Sequence, residues 1–298
     1  MINKLECSIG IIVYNEAKNI GRLLERVTTE AYKDVEISEI IVVSSACTDG
    51  TDEIVTYYAK HDARIKLITE SQRKGKSSAI NLFMQNSTKD ILIVESGDTL
   101  PSRGTIRKLV LPFKDEKVGM TGGRPVPVNT SFTFSGYAVN LLWKLHHKMA
   151  LRSPKLGEMI AFRRVFDSIP PESAVDEASI EAEIAKKGLT KLYLPDAIVH
   201  NKGPEQISGF IKQRKRIQTG HLWLKHKHKY KVISQDKSIL LTLLKEELKE
   251  NPKNTFKIIA VMFVELYARL LGSIDYYVKK KNPFTWEIIE STKNLKQG

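Results

Sequence analysis

The sequence predicts an α/β fold in which a mostly parallel sheet carries helices on both faces. Short apolar runs rich in β-branched residues alternate with helical periodicities over the first hundred residues. This alternation is typical of parallel strands joined by crossover helices. A second observation is the hydrophobic content of 42% in a chain of 298 residues. That content suffices for one large α/β domain with an appendage, or for two domains.

The elements of the first half follow from their periodicities. The predicted strands cover residues 7–13, 39–43, 64–68 and 90–94. The predicted helices begin near residues 17, 48 and 76, and the first of them places Ile20, Leu23, Leu24 and Val27 on one stripe. Ligands of such sheets bind outside the carboxyl ends of the strands, so four polar loops should converge there. They are YNE (14–16), SSACTDG (44–50), ESQRKGK (70–76) and ESGD (95–98).

The second half alternates less regularly. The predicted elements are a strand ending in a Gly-Gly turn (118–128), a helix (135–150), a strand or short helix (157–166), a helix (176–188), an extended pair (191–200) and further helices from about 235. The helix at 176–188 has the clearest signals. Ile180 and Ile184 share a face, and Gly188 follows as the C-terminal stop.

Charge and cysteine content narrow the class of protein. The formal net charge of +13 favours anionic partners such as nucleotides or phospholipid headgroups. Two cysteines, Cys7 and Cys47, in or beside predicted buried strands indicate neither a disulfide framework nor a zinc site. The N-terminal residues contain no apolar run typical of a signal peptide. These features favour a reducing, cytoplasmic location.

Residues 256–278 are the most apolar part of the chain, but Glu265 and Arg269 interrupt them. The spacing predicts an amphipathic helix with an i,i+4 ion pair. Two interpretations stay open. The helix packs on the body of the protein or on a second copy, or it lies in a membrane interface. Residues 202–231 carry nine Lys or Arg against one Glu, which would add attraction to an anionic membrane surface.

Two of the strand-end loops suggest an anion and a cation. Arg73, Lys74 and Lys76 surround Gly75 at the start of a helix, which suits an anionic group, although a solvated turn has the same composition. The chain contains neither a dinucleotide fingerprint nor a Walker P-loop. The ESGD loop places carboxylates at a strand end, where burial is costly unless water, a cation or a ligand meets them.

Seven pieces of the chain together resemble an inverting family-2 glycosyltransferase with a GT-A fold, over about residues 6–225. They are IIVYNEAKNIGRLL, EIIVVSSACTDGTDEI, GKSSAIN, ESGDTLP, AVDEASIEAEIAKKG, LPDAIVHNKGP and QRKRI. The resemblance implies a catalytic domain at 1–230 and a helical extension at 231–298. It also implies a hexosyltransferase-type enzyme that uses a nucleotide diphosphate sugar, a divalent cation (Mn²⁺ or Mg²⁺) and a hydroxyl acceptor on a glycan or a lipid-linked carrier.

The resemblance assigns the donor site residue by residue. It places Tyr14 and Glu16 at the nucleoside, and Gly75 and Lys76 near the ribose and phosphates. Where the family usually has paired aspartates, the chain has Ser44 and Ser45. A serine there keeps a hydrogen bond to the base but supplies no charge.

ESGDTLP stands at the position of the family's D-x-D motif. The resemblance therefore implies Asp98 as the cation's carboxylate and Ser96 in the place of the first aspartate. Strand alternation puts Glu95 on the opposite side. His200 stands where some GT-A enzymes supply a further metal ligand, and imidazole suits Mn²⁺ better than Mg²⁺. The structural alternatives are a capping Asp before a turn and a strand-end histidine.

The resemblance also implies the catalytic base. Glu177 falls at the last carboxylate of the family's E-D element, and Asp176 precedes it. The alternative is N-capping of the helix by Asp176, with Glu177 in the first turn. In QRKRI, Gln213 and Arg216 match an element that contacts donor and acceptor, whereas Ile217 replaces its usual Trp. That replacement argues against a processive membrane synthase, and a basic surface helix remains the alternative.

Two rival functions are open at this point. One is a non-catalytic relative of the family, because serine replaces aspartate at 44, 45 and 96. The other is a basic nucleic-acid-binding protein, but no RRM, KH or helix-turn-helix signature supports it, so no nucleic acid is expected as a partner.

Overall fold

The structure is a computed structural model that describes residues 4–230, 232–282, 284–285 and 289–295. Its strands are β1 (Leu5–Val13), β2 (Val35–Ser45), β3 (Ile65–Glu70), β4 (Ile91–Ser96), β5 (Leu100–Pro101), β6 (Val118–Pro127), β7 (Ile160–Arg163) and β8 (Thr190–Asn201). Its helices are α1 (Ile20–Thr28), α2 (Thr51–His61), α3 (Lys76–Asn86), α4 (Thr105–Val110), α5 (Phe134–Arg152), α6 (Asp176–Lys186), α7 (Ile207–His228), α8 (Lys237–Glu250) and α9 (Thr255–Tyr277).

The strands form one sheet in the order β3-β2-β1-β4-β7-β6-β8-β5. The first four pair in parallel, as the alternation of strands and helices predicts. β7 then runs antiparallel to both β4 and β6, while β6 and β8 are parallel. The predicted class, a mostly parallel sheet flanked by helices with a helical C-terminal region, is confirmed.

Apolar side chains cover both faces of the sheet, which explains why the strands read as continuous apolar runs. Ile91 and Ile93 of β4 belong to the cluster under α1 and α4. Leu92 and Val94 belong to the cluster under α3 and α6. Successive side chains of a strand point to opposite faces, so β4 contributes to both layers.

The Gly-Gly turn predicted within 118–128 is wrong. Residues 118–127 form the single strand β6, and the glycines coincide with a shift of register between Gly122 and Arg124. A Cβ atom on Gly123 would lie 2.4 Å from the carbonyl oxygen of Ala197 in β8. Gly123 is therefore there because two backbones approach closely, not because the chain reverses.

A third apolar cluster joins α5, α7, α8 and α9. The predicted boundary near residue 230 falls between α7 and α8, and helices on both sides of it contribute to this cluster. Helix α9 is amphipathic as predicted: Ile258, Val261 and Ala268 are buried, whereas the opposite face is exposed. Within the described residues, no helix has the length and apolar character needed to cross a bilayer.

Glu265 forms the buried ionic centre between α7 and α9. Its carboxylate lies 2.7 and 2.8 Å from the Arg214 guanidinium and 2.7 Å from Nε of Arg269, which confirms the predicted i,i+4 pair. Burial alone would raise the pKa of Glu265, but the two guanidinium groups lower it to about 2. Because the folded pKa lies below the ordinary value, this pair stabilises the fold above about pH 4.5, and the stabilisation is lost as the pH falls towards 2.

Glu265→Leu should lower the free energy of unfolding at pH 7 by about 3–5 kcal/mol, because it leaves two partly buried cations without a counter-charge. It should also flatten the acid dependence of stability between about pH 4.5 and 2. Urea unfolding at several pH values measures both. Glu246→Leu is the matched control: its partner Arg152 is exposed, and its loss should cost less than about 1 kcal/mol. Equal losses in the two variants would contradict a buried ionic centre.

Candidate active site

One large cavity lies at the carboxyl edge of the parallel strands. Its volume is about 1680 Å³, and it extends from the strand-end loops to α5, α7, α8 and α9. Ser44 and His200 do not line it, whereas the other residues that the resemblance assigned to the site do. These residues are Tyr14, Glu16, Ser45, Gly75, Lys76, Ser96, Asp98, Asp176, Glu177, Gln213 and Arg216.

The end of the cavity nearest β1 is built from the YNE loop and its neighbours. The Arg73 guanidinium carbon lies 4.1 Å from the centre of the Tyr14 ring, in a cation–π contact that orients both groups. Glu16 is buried, and its Oε2 accepts a hydrogen bond of 2.9 Å from Nδ2 of Asn19. Burial, and then the charge of Asp98, raise the pKa of Glu16 to about 7, against the opposing effect of Lys293.

The C-terminal residues 289–295 pack across this same end. Nζ of Lys293 donates a hydrogen bond of 2.8 Å to the carbonyl of Tyr14 and forms an ion pair with Glu16. Leu295 is anchored through its carbonyl to Arg22 at 2.6 Å and through its amide to Asn19 at 3.1 Å. No sequence pattern predicted this contact, because the two segments are about 280 residues apart.

Ser45, which replaces a family aspartate, has a carboxylate behind it. Its hydroxyl donates to Oε2 of Glu70 at 2.7 Å, and Ser78 Oγ donates to Oε1 of Glu70 at 3.3 Å. A serine whose proton points to Glu70 presents only acceptor lone pairs to the cavity. The end of β3 thus holds a carboxylate that the resemblance did not assign.

The ESGD turn brings Ser96 and Asp98 into the cavity. A Cβ atom on Gly97 would lie 2.7 Å from Cγ1 of Val13 and 2.9 Å from Cγ of Glu16, so the turn needs glycine to fit against the YNE loop. Glu95 is fully buried outside the cavity lining, and its Oε1 accepts a 2.5 Å hydrogen bond from Thr99. Burial raises the pKa of Glu95 to about 8.

The two carboxylates at the start of α6 share one lysine. Nζ of Lys76 lies 2.8 Å from Oδ2 of Asp176 and 3.2 Å from Oε1 of Glu177. Burial would lower the pKa of Lys76, but the two carboxylates raise it well above its ordinary value. Burial, and then the charge of Asp176, raise the pKa of Glu177. N-capping by Asp176 is wrong, because the cap position is Val175 and no side chain caps the helix.

Glu158 is a cavity carboxylate that the sequence reasoning missed. It precedes β7 with a φ of 60°, a conformation uncommon outside glycine, and Asn201 Nδ2 donates to its Oε1 at 2.9 Å. Such backbone strain is concentrated at functional sites. Burial, followed by the charges of Asp98 and Glu177, raises the pKa of Glu158 to about 7. No local motif marks this residue, since only the fold brings it beside Asp98.

His200 lies outside the cavity. Its Nε2 is 3.1 Å from Ser102 Oγ, and its backbone pairs with Leu100 where β5 meets β8. The next residue, Asn201, is the one that lines the cavity, because alternate side chains of β8 point to opposite faces. The geometry therefore argues against the predicted role of His200 as a metal ligand.

Helix α7 turns its Q-x-x-R segment inward. Gln213 and Arg216 line the cavity, and Arg214 pairs with Glu265. Burial lowers the pKa of Arg216, but Asp176, Glu177 and other acids of the cavity oppose that shift. The alternative of a basic surface helix is wrong for this turn.

The oxygen atoms that line the cavity suit a divalent cation that is held by only one or two protein carboxylates. Among the described residues, no three His, Cys, Asp or Glu side chains converge as a self-sufficient metal centre. Asp98, Glu158 and Ser96 all line the cavity, and their side chains carry the hard oxygen atoms that such a cation prefers. Burial, and then repulsion by Asp98, raise the pKa of Glu158, and a bound cation would relieve that repulsion. Mg²⁺-type sites commonly combine one or two carboxylates with substrate phosphates.

Comparisons with known proteins agree with this fold. The chain is 30% identical over 127 residues to "Glycosyltransferase AglE" of Haloferax volcanii, which is 43% of this chain and 40% of that protein. It is 24% identical over 233 residues to "Probable glycosyltransferase YdaM" of Bacillus subtilis, covering 73% and 55%. The chain thus spans about half the length, or less, of these relatives.

Solved structures support the fold alone. The mannosyltransferase PcManGT of Pyrobaculum calidifontis, in complex with GDP-Man and Mn²⁺, superposes with a TM-score of 0.63 at 22% identity, covering 94% of this chain and 82% of that chain. Glucosyl-3-phosphoglycerate synthase of Mycobacterium tuberculosis, in complex with Mn²⁺ and UDP, superposes at 0.54 with 15% identity, covering 74% and 79%.

The family match is broader than these pairwise similarities. The sequence profile described as "Glycosyl transferase family 2" matches residues 8–168, which is more than half of the chain and includes the YNE, Ser44–Ser45, Gly75–Lys76 and ESGD segments. The chain therefore belongs to glycosyl transferase family 2.

Proposed function

We propose that the protein is a metal-dependent, inverting glycosyltransferase that moves a sugar from a nucleotide diphosphate sugar to a hydroxyl group of its acceptor. The observation that supports this best is the convergence of Asp98, Lys76 and Glu177 in one cavity. Such a transfer needs three groups: a carboxylate that binds the metal cation (Asp98), a positive charge for the diphosphate (Lys76) and a base (Glu177).

The chemical step follows from the positions of these groups. The acceptor oxygen forms a bond to the anomeric carbon, while the bond from that carbon to the diphosphate oxygen breaks and its electron pair leaves with the diphosphate. Glu177 accepts the hydroxyl proton, and its raised pKa brings it closer to the value that suits a base at neutral pH. Attack from the face opposite the leaving group inverts the anomeric centre.

The basic residues of the cavity would stabilise the negative charge that develops on the leaving diphosphate. Lys76 and Arg216 both line the cavity and carry positive charge next to the carboxylates. A divalent cation held by Asp98, with Glu158 and Ser96 beside it, would neutralise the negative charge that develops on the diphosphate. At the other end, Tyr14 and Ser45 would contact the nucleoside, and Lys293 keeps Glu16 in place.

A panel of UDP- and GDP-sugars tests the proposed function. The protein should release nucleotide diphosphate from at least one of them, and the release should require Mn²⁺ or Mg²⁺. Thermal shift with UDP or GDP, with and without Mn²⁺, measures donor binding separately. Absence of both binding and release across the panel would overturn the proposal.

A non-catalytic member of the family is the second candidate, and the serines at 44, 45 and 96 favour it. Such a protein would bind nucleotide but neither hydrolyse nor transfer the sugar. The same panel separates the two functions. RNA should cause no thermal shift, since the sequence contains no RRM, KH or helix-turn-helix signature.

We also propose that the protein works at the cytoplasmic face of a membrane. The exposed face of α9 presents an apolar stripe at helical spacing. Its most exposed members are Phe256, Phe263, Leu266 and Leu270. Lys225, Lys227 and Lys229 at the end of α7 are exposed and add positive charge. An apolar face with basic residues is typical of interfacial helices.

Sedimentation with liposomes tests this proposal. Binding to anionic vesicles should exceed binding to neutral ones and should fall with added salt. Phe263→Asp should reduce binding several-fold, because it places a charge in the apolar face. Phe132→Asp is the control, since Phe132 is even more exposed than Phe263 but lies on a loop before α5. If neither liposome is bound, the stripe is better assigned to a contact between two copies of the chain.

A further inference from the structure

The volume of the cavity is larger than a nucleotide sugar alone requires. Pockets for one small ligand usually measure about 300–1,000 Å³, and this cavity measures about 1680 Å³. Its second half, which we call the annex, lies among α5, α7, α8 and α9. The annex is lined by Leu142, Leu145, Met149, Leu240, Leu244 and Met262. Its walls are thus mainly aliphatic, unlike the charged donor end.

The annex opens to the surface between α8 and α9. Leu241 and Leu266 both line the cavity and remain 58% and 59% exposed, so they stand at its mouth. The exposed stripe of α9 continues outward from Leu266 to Phe263 and Leu270. An apolar chain could therefore enter from an apolar surface without crossing a polar rim.

A group of basic side chains lines the cavity beside these apolar walls. Lys155, Arg214 and Arg269 carry three positive charges, and Glu265 between the two arginines carries one negative charge. The Lys155 ammonium makes no hydrogen bond or ion pair with any residue that the structure describes. Burial, followed by repulsion from the two arginines, lowers the pKa of Lys155 to about 8. The group therefore has an excess of positive charge and, within the described part of the chain, one cation without a partner.

Two histidines complete the polar lining of this region. His146 is 8% exposed, lines the cavity, and its Nδ1 has no hydrogen-bond partner among the described residues. His221 lines the same cavity near Lys155. A buried polar atom without a partner is unfavourable, so Nδ1 of His146 indicates a ligand that can form a hydrogen bond with it.

The basic group is connected to the catalytic carboxylates. Lys155 and Glu158 belong to the same short loop before β7. Arg214 and Arg216 line the same cavity as Asp176 and Glu177, and the charges of these two carboxylates act on the pKa of Arg216. An acceptor held at Lys155 would therefore extend towards Glu177.

We infer that the annex binds the acceptor as an amphiphile: an alkyl chain among α5, α8 and α9, and a phosphate-type anion at Lys155, Arg214 and His146. This inference rests on the proposed function and names the acceptor class, a lipid-linked phosphate or diphosphate that carries the reacting hydroxyl. A soluble glycan fits these walls less well, because they offer aliphatic side chains where a sugar needs hydrogen bonds.

Binding of three probes to the full chain tests this inference by calorimetry. Dodecyl phosphate carries both features, dodecyl glucoside carries only the chain, and methyl phosphate carries only the anion. Dodecyl phosphate should bind at least about tenfold more tightly than either of the others, as expected when a charged hydrogen bond is gained. Equal binding of dodecyl glucoside would overturn the role of the basic group. Equal binding of methyl phosphate would overturn the role of the apolar walls.

Two variants separate the parts of the annex. Lys155→Met should weaken dodecyl phosphate about tenfold or more and leave dodecyl glucoside within about twofold. Leu266→Asp, at an exposed position, should weaken both amphiphiles. Lys60→Met removes an exposed lysine of α2 outside the cavity and should change neither. If wild-type protein binds UDP or GDP with Mn²⁺ but no dodecyl phosphate, the inference fails and the proposed function stands.

Discussion

Glu177→Gln is expected to slow sugar transfer by about 10²-fold or more, the usual effect of removing a general base. The amide can keep a hydrogen bond to Lys76, but it cannot accept the acceptor proton. Folding and donor binding should persist, because the side chain lies at the cavity edge of α6 and caps no helix. Single-turnover transfer from the donor identified in the panel measures the rate, and thermal shift with nucleotide and Mn²⁺ measures binding.

Two further variants test the assignment of the base. Asp176→Asn should slow transfer less than Glu177→Gln, since Asp176 is the closer partner of Lys76 and positions it. The reverse ranking would identify Asp176 as the base. Glu183→Gln changes a carboxylate of the same helix that pairs with Lys186 outside the cavity. That control should leave the rate within about twofold, as surface substitutions usually do.

Asp98→Asn should weaken Mn²⁺-dependent nucleotide binding about tenfold or more, because a neutral amide replaces the cation's main protein carboxylate. Binding without metal should change little, and the fold should survive because Asp98 lies in a turn that is not fully buried. Nucleotide titration at several Mn²⁺ concentrations measures the effect.

Two further variants serve as the converse test and the control for Asp98→Asn. Ser96→Asp should tighten Mn²⁺ binding, since it places a carboxylate at the first position of the motif. Asp90→Asn changes an exposed aspartate just before β4, at the opposite end of the strand that leads to Asp98, and should have no effect on metal dependence. If Asp98→Asn keeps the wild-type Mn²⁺ dependence, Glu158 becomes the leading candidate for the cation's carboxylate.

Much of the fold, and most residues of the proposed donor site, can be predicted from local sequence. The strands β1, β2 and β4 are buried on both faces over most of their length, so their apolar runs are continuous and their positions are clear. Loops after parallel strands must meet at one edge of the sheet, which is why Tyr14, Lys76 and Asp98 could be predicted to converge. The order of short motifs was enough to predict the family, and the profile match confirmed it.

Other features depend on contacts between residues far apart in the chain. The direction of β7 and the continuity of β6 past Gly123 depend on which strands become neighbours, and local periodicity does not encode that. The side that His200 faces depends on the register of β8 against β5. A shift of this register by one residue would exchange the faces to which His200 and Asn201 point, and so decides which of them reaches the cavity.

The sequence by itself determined the α/β class and the family, and it predicted most residues of the proposed donor site, because apolar periodicity and short motifs carry this information. Only the tertiary structure brought Glu158 beside Asp98, Lys293 onto Glu16 and Lys155 into an apolar annex. Each of these side chains acquires its role from burial and from charges contributed by distant segments. The physical reason is that the low dielectric of a cavity strengthens interactions between groups that only the packed chain brings together.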